Sequence, residues 1–508
     1  MNRLQARGGT LRRRRVLAPA RGGFVIHTTA QASVVALTAL TGAMVASGMS
    51  GDVLAAVVGV VILVAVAYRP ELGALFFVCA ATAVPHHVLF DRGVPAFGGA
   101  LKVTDMLLLA TLASWLAHAA LLRGTVRMPS RATTFLVVFG IAIAILSIAT
   151  ANGHGTPTHL SLFELRPLLS FLLIFPIVSG VRSLRQAELG VALYLVATTV
   201  ACLITVWRYA HGEGSAASYT SGAIRVIDSV LLISAMLAGI WAVVLVPTTR
   251  KPVTVTLLSA LLILSLAALF FTFQRTAWLA FLAALALLLH RIAPGLRLRL
   301  AVRALPALVV AMVAVLAVNA GASKSARDPL HSALTRLTSV ADFNKDVSGR
   351  YRIAEWKAAG AAIERHPLTG IGLGNTITFW SPMYSPTTHL NGGITTTSYI
   401  HNSYIWFALK VGLVGAFAFV ALFLLQAKRA WTALREGSGP RRQRLLLGAF
   451  ATLVALLVVS LAGPHLNGDS STPYLAAVIA LIELVPLLPE ERGGTPTRLD
   501  PDWELWPA

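Results

Sequence analysis

The chain has 508 residues, of which 56% are apolar before its 40 glycines are counted and only 12% are charged, whereas soluble domains carry roughly 45–50% apolar and about 25% charged residues. With a mean hydropathy of +0.73, this excludes the three or four soluble domains that the length would otherwise hold and leaves an all-α polytopic membrane protein. The 42 basic and 21 acidic side chains give a net charge of +21, a balance that in a soluble chain points to nucleic acid, so the place of each charge decides what it means.

A hydrocarbon layer about 30 Å thick takes roughly 20 helical residues. In chain order, apolar runs fall near 30–49, 53–68, 71–89, 103–122, 133–149, 161–179, 187–207, 226–246, 252–273, 275–290, 304–320, 403–426, 445–461 and 472–488, which predicts about 12–14 transmembrane helices. With the N-terminus inside, short cytoplasmic segments hold 27 of the 42 Lys and Arg, while short external loops hold five, Arg92, Lys102, Arg208, Arg225 and Arg275. That is the positive-inside asymmetry, so most of the net charge is topology and no nucleic-acid partner is expected. The expected organisation is a basic cytoplasmic N-terminus (1–29), a bundle of about 11 helices (30–320), an external loop (321–402), C-terminal transmembrane helices (403–488) and a cytoplasmic tail (489–508). The first apolar run is long for a cleaved signal peptide and reads as a signal anchor. Cys79 and Cys202 lie in apolar runs without a CxxC and imply neither a disulfide nor a metal site.

A charged side chain at mid-span costs ~2.5–3.5 kcal/mol on insertion scales, which makes intramembrane charge informative. Under this topology the even-numbered spans enter from outside, and their first turns contain Asp105, Glu164, Arg166, Asp228, Arg275 and Lys410, with Arg225 and His401 just before two of them. Glu483 is the exception, in the last span. Charge at one depth, together with helix N-termini at that depth, suits a buried anion. The competing reading is that each arginine snorkels and each acid caps a helix or pairs locally.

The loop from 321 to 402 is far more polar than the rest. Its stretch from Ser348 to Pro367 sets Ile353, Trp356 and Ile363 near one helical face, with Arg352, Glu355, Lys357 and Glu364 mostly elsewhere, the pattern of an amphipathic helix. The following GIGLGN (Gly370–Asn375) has no strand before it and no GK[ST] after it, so its glycines fit tight turns or close backbone approach better than a phosphate loop. The loop ends at His401-Asn402-Ser403, where Asn402 or Ser403 fits a helix cap and His401 a base at neutral pH. The single DxD, Asp500 to Asp502, lies in the expected cytoplasmic tail.

Three segments carry a family resemblance. Gln274-Arg275-Thr276-Ala277-Trp278-Leu279 resembles an (S)R-(T/G)-A-W-L motif. Gly349-Arg350 to Trp356 with His366-Pro367-Leu368-Thr369-Gly370-Ile371-Gly372 resembles a G-R…W…hPl-G-iG segment, and His401-Asn402-Ser403-Tyr404 with Gly412-Leu413-Val414-Gly415 resembles an H-N-x-(Y/L)…G-l-l-G segment. In this order and spacing they resemble the O-antigen ligase and O-antigen polymerase superfamily over about residues 270–425. The resemblance implies a GT-C-like integral-membrane glycosyltransferase in the bacterial cytoplasmic (inner) membrane, both termini cytoplasmic, moving an undecaprenyl-diphosphate-linked glycan to the hydroxyl of a glycan or lipid acceptor at the outer face. It implies that Arg275 holds the donor diphosphate, that His401 serves the acceptor hydroxyl, and that Arg350 and His366 line the loop side of the site. Arg166, Arg225 and Lys410 join as substrate-binding candidates on depth alone, and Asn402 on its place beside His401. Lipid diphosphate is a good leaving group, so fixed cations suffice without metal or cofactor. The alternative function is a transporter or flippase of lipid-linked oligosaccharide, which would place charge along a path through the bilayer.

Overall fold

Hydrocarbon offers no water to complete a backbone hydrogen bond, so a chain this apolar must satisfy its own N–H and C=O groups within helices. The computed structural model describes residues 62–83, 103–121, 126–211, 215–219, 222–226, 229–249, 251–272, 274–292, 294–321, 347–384, 391–437 and 439–489. The expected spans near 30–49 and 53–68, the segments 1–29 and 322–346, Asp228 and most of the C-terminal tail lie wholly or largely outside them. The chain divides into two units, Met1–Ala65 and Val66–Ala508, and every element below belongs to the second.

The helices are α1 (Pro70–Ala83), α2 (Val103–Leu121), α3 (Arg131–Gly153), α4 (Thr158–Leu169), α5 (Ile174–Gly180), α6 (Leu184–Ala210), α7 (Ser229–Leu245), α8 (Pro252–Phe271), α9 (Arg275–Arg291), α10 (Pro294–Gly321), α11 (Val347–Arg365), α12 (Ser403–Arg435), α13 (Pro440–Val459) and α14 (Ser471–Leu484). Every expected span from 71–89 onward has a helix in its place. Among the described residues, seven runs are long and apolar enough to cross a membrane: α2, α3, α4–α5 together, α6, α8, α12 and α13. Starts follow local chemistry. Ser183 and Gln186 form a capping box before α6, Ser130 caps α3 through the Thr133 N–H, and Pro252 and Pro440 open α8 and α13, where the missing N–H removes no helix bond. The expected span 161–179 is interrupted, because Pro167 inside α4 cannot donate and a 3₁₀ turn, Ser170–Leu173, joins α4 to α5.

Two β-hairpins qualify the all-α expectation. Strands β1 (Ser215–Tyr219) and β2 (Gly222–Val226) pair antiparallel, so α7 begins at Ser229 and not at 226. In the connection between α10 and α12, β3 (Ile377–Tyr384) pairs with β4 (Asn391–Thr397). Ile377 and Phe379 are buried beside exposed Trp380, the period-two pattern of a one-sided strand.

The core centres on α7, buried from Ile233 to Val244, where the Trp241 indole donates to the Tyr474 hydroxyl at 2.7 Å. At the start of α3, the buried Glu483 carboxylate accepts from Ser130 N–H at 3.1 Å and Gln426 Nε2 at 3.0 Å, and also from Thr133 and Arg429. This staples α3, α12 and α14, and it explains the one acidic residue that stood apart in the sequence.

The feature that positions everything outside the bundle is a break in α12. Gly412 sits at φ 73°, ψ 173°, a region essentially reserved to glycine, and the bonds around it are taken over by the 367–375 segment. Ile371 N–H donates to the Leu409 carbonyl at 2.7 Å, Gly372 N–H to the Lys410 carbonyl at 3.1 Å, and Leu413 N–H to the Pro367 carbonyl at 2.8 Å. Gly372, at φ 89°, lies so close to α3 that a Cβ would stand 2.5 Å from Ala151 N. GIGLGN is therefore a backbone clamp, as the absence of phosphate-loop context implied.

A Cβ at Gly412 would lie 2.0 Å from the Leu368 carbonyl oxygen, so Gly412→Ala combines a forbidden conformation with a backbone clash. The expected loss is about 3 kcal/mol or more, seen as a large fall in Tm or failure to recover folded protein. Gly190→Ala, in the interior of α6 with nothing within 4 Å of its would-be Cβ, should be neutral or stabilising by roughly 0.5–1 kcal/mol. Equal responses in the two variants would show that the break does not hold the loop.

Candidate functional site

Helix α11 has the expected bounds but buries a different face. The wholly covered positions are Glu355, Ala359 and, nearly so, Ala362, while Ile353, Trp356 and Ile363 are only partly covered. A carboxylate with 0% exposure must be matched by donors, and His401 supplies them. Glu355 Oε2 accepts the His401 backbone N–H at 2.8 Å, and the His401 Nδ1 lies 3.0 and 3.2 Å from Oε1 and Oε2. With the carboxylate ionised, Nδ1 carries the proton and Nε2 keeps its lone pair. The ring is 29% exposed, and Tyr351 and Tyr399 meet it edge-on at 5.6 and 4.8 Å between centroids. An oriented, accessible histidine backed by a buried acid is the arrangement of a general base.

The residues after His401 anchor it. Asn402 is the N-cap of α12, its side-chain oxygen accepting from Tyr404 and Ile405 N–H at 2.9 and 3.0 Å and its Nδ2 donating to the Leu461 carbonyl at 3.1 Å. The Ser403 hydroxyl accepts from Leu466 N–H at 3.0 Å and contacts the Gly463 carbonyl and Asn467 Oδ1, each at 3.1 Å. These bonds hold the α13–α14 turn beside the dyad and bring in His465. Burial first, then the Arg352 and His401 charges, push the His465 imidazole down to about 4, so it is neutral at ordinary pH. Neither Arg352 nor His465 was singled out as a site residue from sequence.

Among the described residues, two of the intramembrane cations have acidic neighbours. Arg166 pairs with Asp105 at 2.7 Å, joining α4 to α2. Lys410 has no exposure, and its Nζ bonds Glu164 at 2.9 Å and the Asn375 carbonyl, while Glu164 also accepts from Gly374 N–H at 2.7 Å. Of the substrate-binding candidates, Arg166 and Lys410 are thus held in local pairs and Asn402 caps α12. Arg350 is exposed in the first turn of α11. His366 follows that helix and meets His154 edge-on at 5.5 Å, lining a cleft on a neighbouring face of α11 from Glu355. Arg225 lies on β2 opposite Ala216, and its side chain is outside the described residues.

Arg275 is the first residue of α9 and half-buried. The guanidinium of Arg291, at the other end of α9, covers the Trp431 ring of α12 at 4.5 Å.

A family model described as O-antigen ligase matches residues 260–420, a stretch holding Arg275, Glu355, the glycine clamp, His401 and the α12 break. A comparison with curated proteins yields no match.

If Lys410 is a structural partner, Lys410→Met leaves Glu164 a buried, uncompensated carboxylate and should cost about 3–5 kcal/mol, with most of it recovered in Lys410→Met/Glu164→Gln; thermal unfolding of the two variants decides. For His465 the ordinary pKa of 6.5 falls to about 4 on folding, so the unfolded chain takes up the proton first as pH drops. Its contribution to stability is full above about 6.5 and is lost toward about 4, and His465→Gln should make the fall of Tm across that window shallower.

Proposed function

We propose, from the match of residues 260–420 to a family model described as O-antigen ligase and from the long apolar helices around it, that the protein is a metal-independent, inverting glycosyltransferase of the ligase or polymerase type. It transfers a glycan from undecaprenyl diphosphate to an acceptor hydroxyl at the outer face of the bacterial cytoplasmic membrane. The observation that carries this reading is the Glu355–His401 dyad. In the proposed step His401 Nε2 takes the acceptor hydroxyl proton as that oxygen bonds to the anomeric carbon. The bond from that carbon to the phosphate oxygen breaks, and the lipid diphosphate departs with the electron pair. Attack opposite the leaving group inverts the carbon. Glu355 holds the ring in the required tautomer and stabilises the imidazolium that forms, the role of a buried orienting carboxylate. Arg275 is assigned to the diphosphate, where fixed positive charge lowers the barrier as negative charge develops. A flippase would have no use for an oriented base.

In purified protein supplied with a prenyl-diphosphate-linked glycan, His401→Ala and Glu355→Gln should each lower kcat by roughly 10²–10⁴-fold with KM little changed. Arg275→Ala should cost about 10²-fold or more. Glu355→Gln should also displace the pH–rate profile, which a purely structural contact would leave in place. Full transfer by His401→Ala would end the proposal.

A further inference from the structure

On a neighbouring face of α11 from Glu355 lies a cleft of about 570 Å³, within the roughly 300–1,000 Å³ range of small-ligand sites. Ala358, Ala361 and Ala362 of α11 line one part of it, and Thr376 and Thr378 at the start of β3 another. The alanines give a surface without projecting side chains, on which the C–H face of a sugar ring can lie, and the threonines offer hydroxyls. Its one charged side chain among the described residues is Arg365, flanked by the imidazoles of His154 and His366, with no Asp or Glu in that lining. These groups arrive from separate elements, His154 from the α3–α4 turn and His366 from the end of α11, with their rings 5.5 Å apart at 75°. Arg365 Nε donates to the Ala361 carbonyl at 3.0 Å, which lays the guanidinium along the alanine surface. Ala358 is three residues beyond Glu355, about 4.5 Å along the helix axis.

We propose that this cleft is a saccharide subsite selecting glycans that bear an acidic group, a carboxylate or a phosphate ester. The inference rests on the glycan-transfer reading above and adds to it the class of sugar. Among the described residues that line the cleft there is no carboxylate, and a saccharide acid offers both the ring for the alanine surface and an anion for the Arg365 guanidinium and the imidazole nitrogens of His154 and His366.

The test is equilibrium binding to nanodisc-embedded His401→Ala protein, in which turnover is absent, with trigalacturonate, glucose 6-phosphate, maltotriose and inorganic phosphate as probes. Trigalacturonate or glucose 6-phosphate should bind about tenfold or more tighter than maltotriose, a difference of about 1.4 kcal/mol, and tighter than inorganic phosphate. The preference should vanish in His154→Ala/His366→Ala and, separately, in Ala361→Glu, which puts a carboxylate on the alanine surface. Equal binding of charged and neutral sugars, phosphate binding as tightly as the sugar acids, or a preference that survives both variants would each overturn the subsite. Because binding is read without turnover, an active transferase without the preference removes only this inference, whereas the preference in a protein inactive with every donor removes the transfer reading and leaves the cleft.

Discussion

The Gly412 break is the constraint from which the rest of the site is built. A continuous helix would use the Leu409 and Lys410 carbonyls for its own next turn; at the break they are instead taken by the N–H groups of Ile371 and Gly372. A stretch of the α10–α12 connection is thereby bonded into the bundle as though it were part of the helix. The helix that precedes this stretch carries Glu355, and the helix whose backbone it completes begins two residues after His401. One glycine conformation thus sets both halves of the dyad. Without it, Ile371 and Gly372 would need other acceptors where water is scarce, and buried backbone groups left unpaired are costly.

Charge within the bundle does a different job from charge at the dyad. Asp105–Arg166 and Glu164–Lys410 are pairs whose attraction is offset by the cost of removing both ions from water, so their net worth is small, but loss of one partner strands the other. They fix which helix faces which. Lys410 extends this to the connection by bonding the Asn375 carbonyl, so the ion pair and the glycine clamp lock the same junction from two sides. At the proposed dyad the imidazole reaches solvent while its carboxylate is wholly covered.

Much of the architecture was legible in the sequence because hydrophobic length is a strong signal: a helix stands at each expected span from 71–89 onward. The amphipathic helix was found within a residue or two of its ends, and the glycines of GIGLGN were read as close-approach positions. The buried face of α11 was misjudged because periodicity weighs residues by hydropathy, and here the most buried side chain is Glu355, whose burial depends on a histidine 46 positions away. The same blindness to long-range pairing hid the acidic partners of Arg166 and Lys410. The hairpins were missed because strands of five to eight residues in a polar connection carry little pattern beside twenty-residue apolar runs. His465 had no signal of its own, since only the Ser403 bonds bring its turn to the dyad.

In the proposed transfer, the partial exposure of the His401 ring has a consequence for selectivity. A base that solvent can reach can act on water as well as on a sugar hydroxyl, and bulk water is the more abundant nucleophile. On that mechanism hydrolysis is not suppressed by sealing the ring away, so faithful transfer would depend on the acceptor being held in line for attack longer and more often than any water molecule. Residence of the acceptor beside the imidazole, more than the strength of the base, then limits how much donor is wasted.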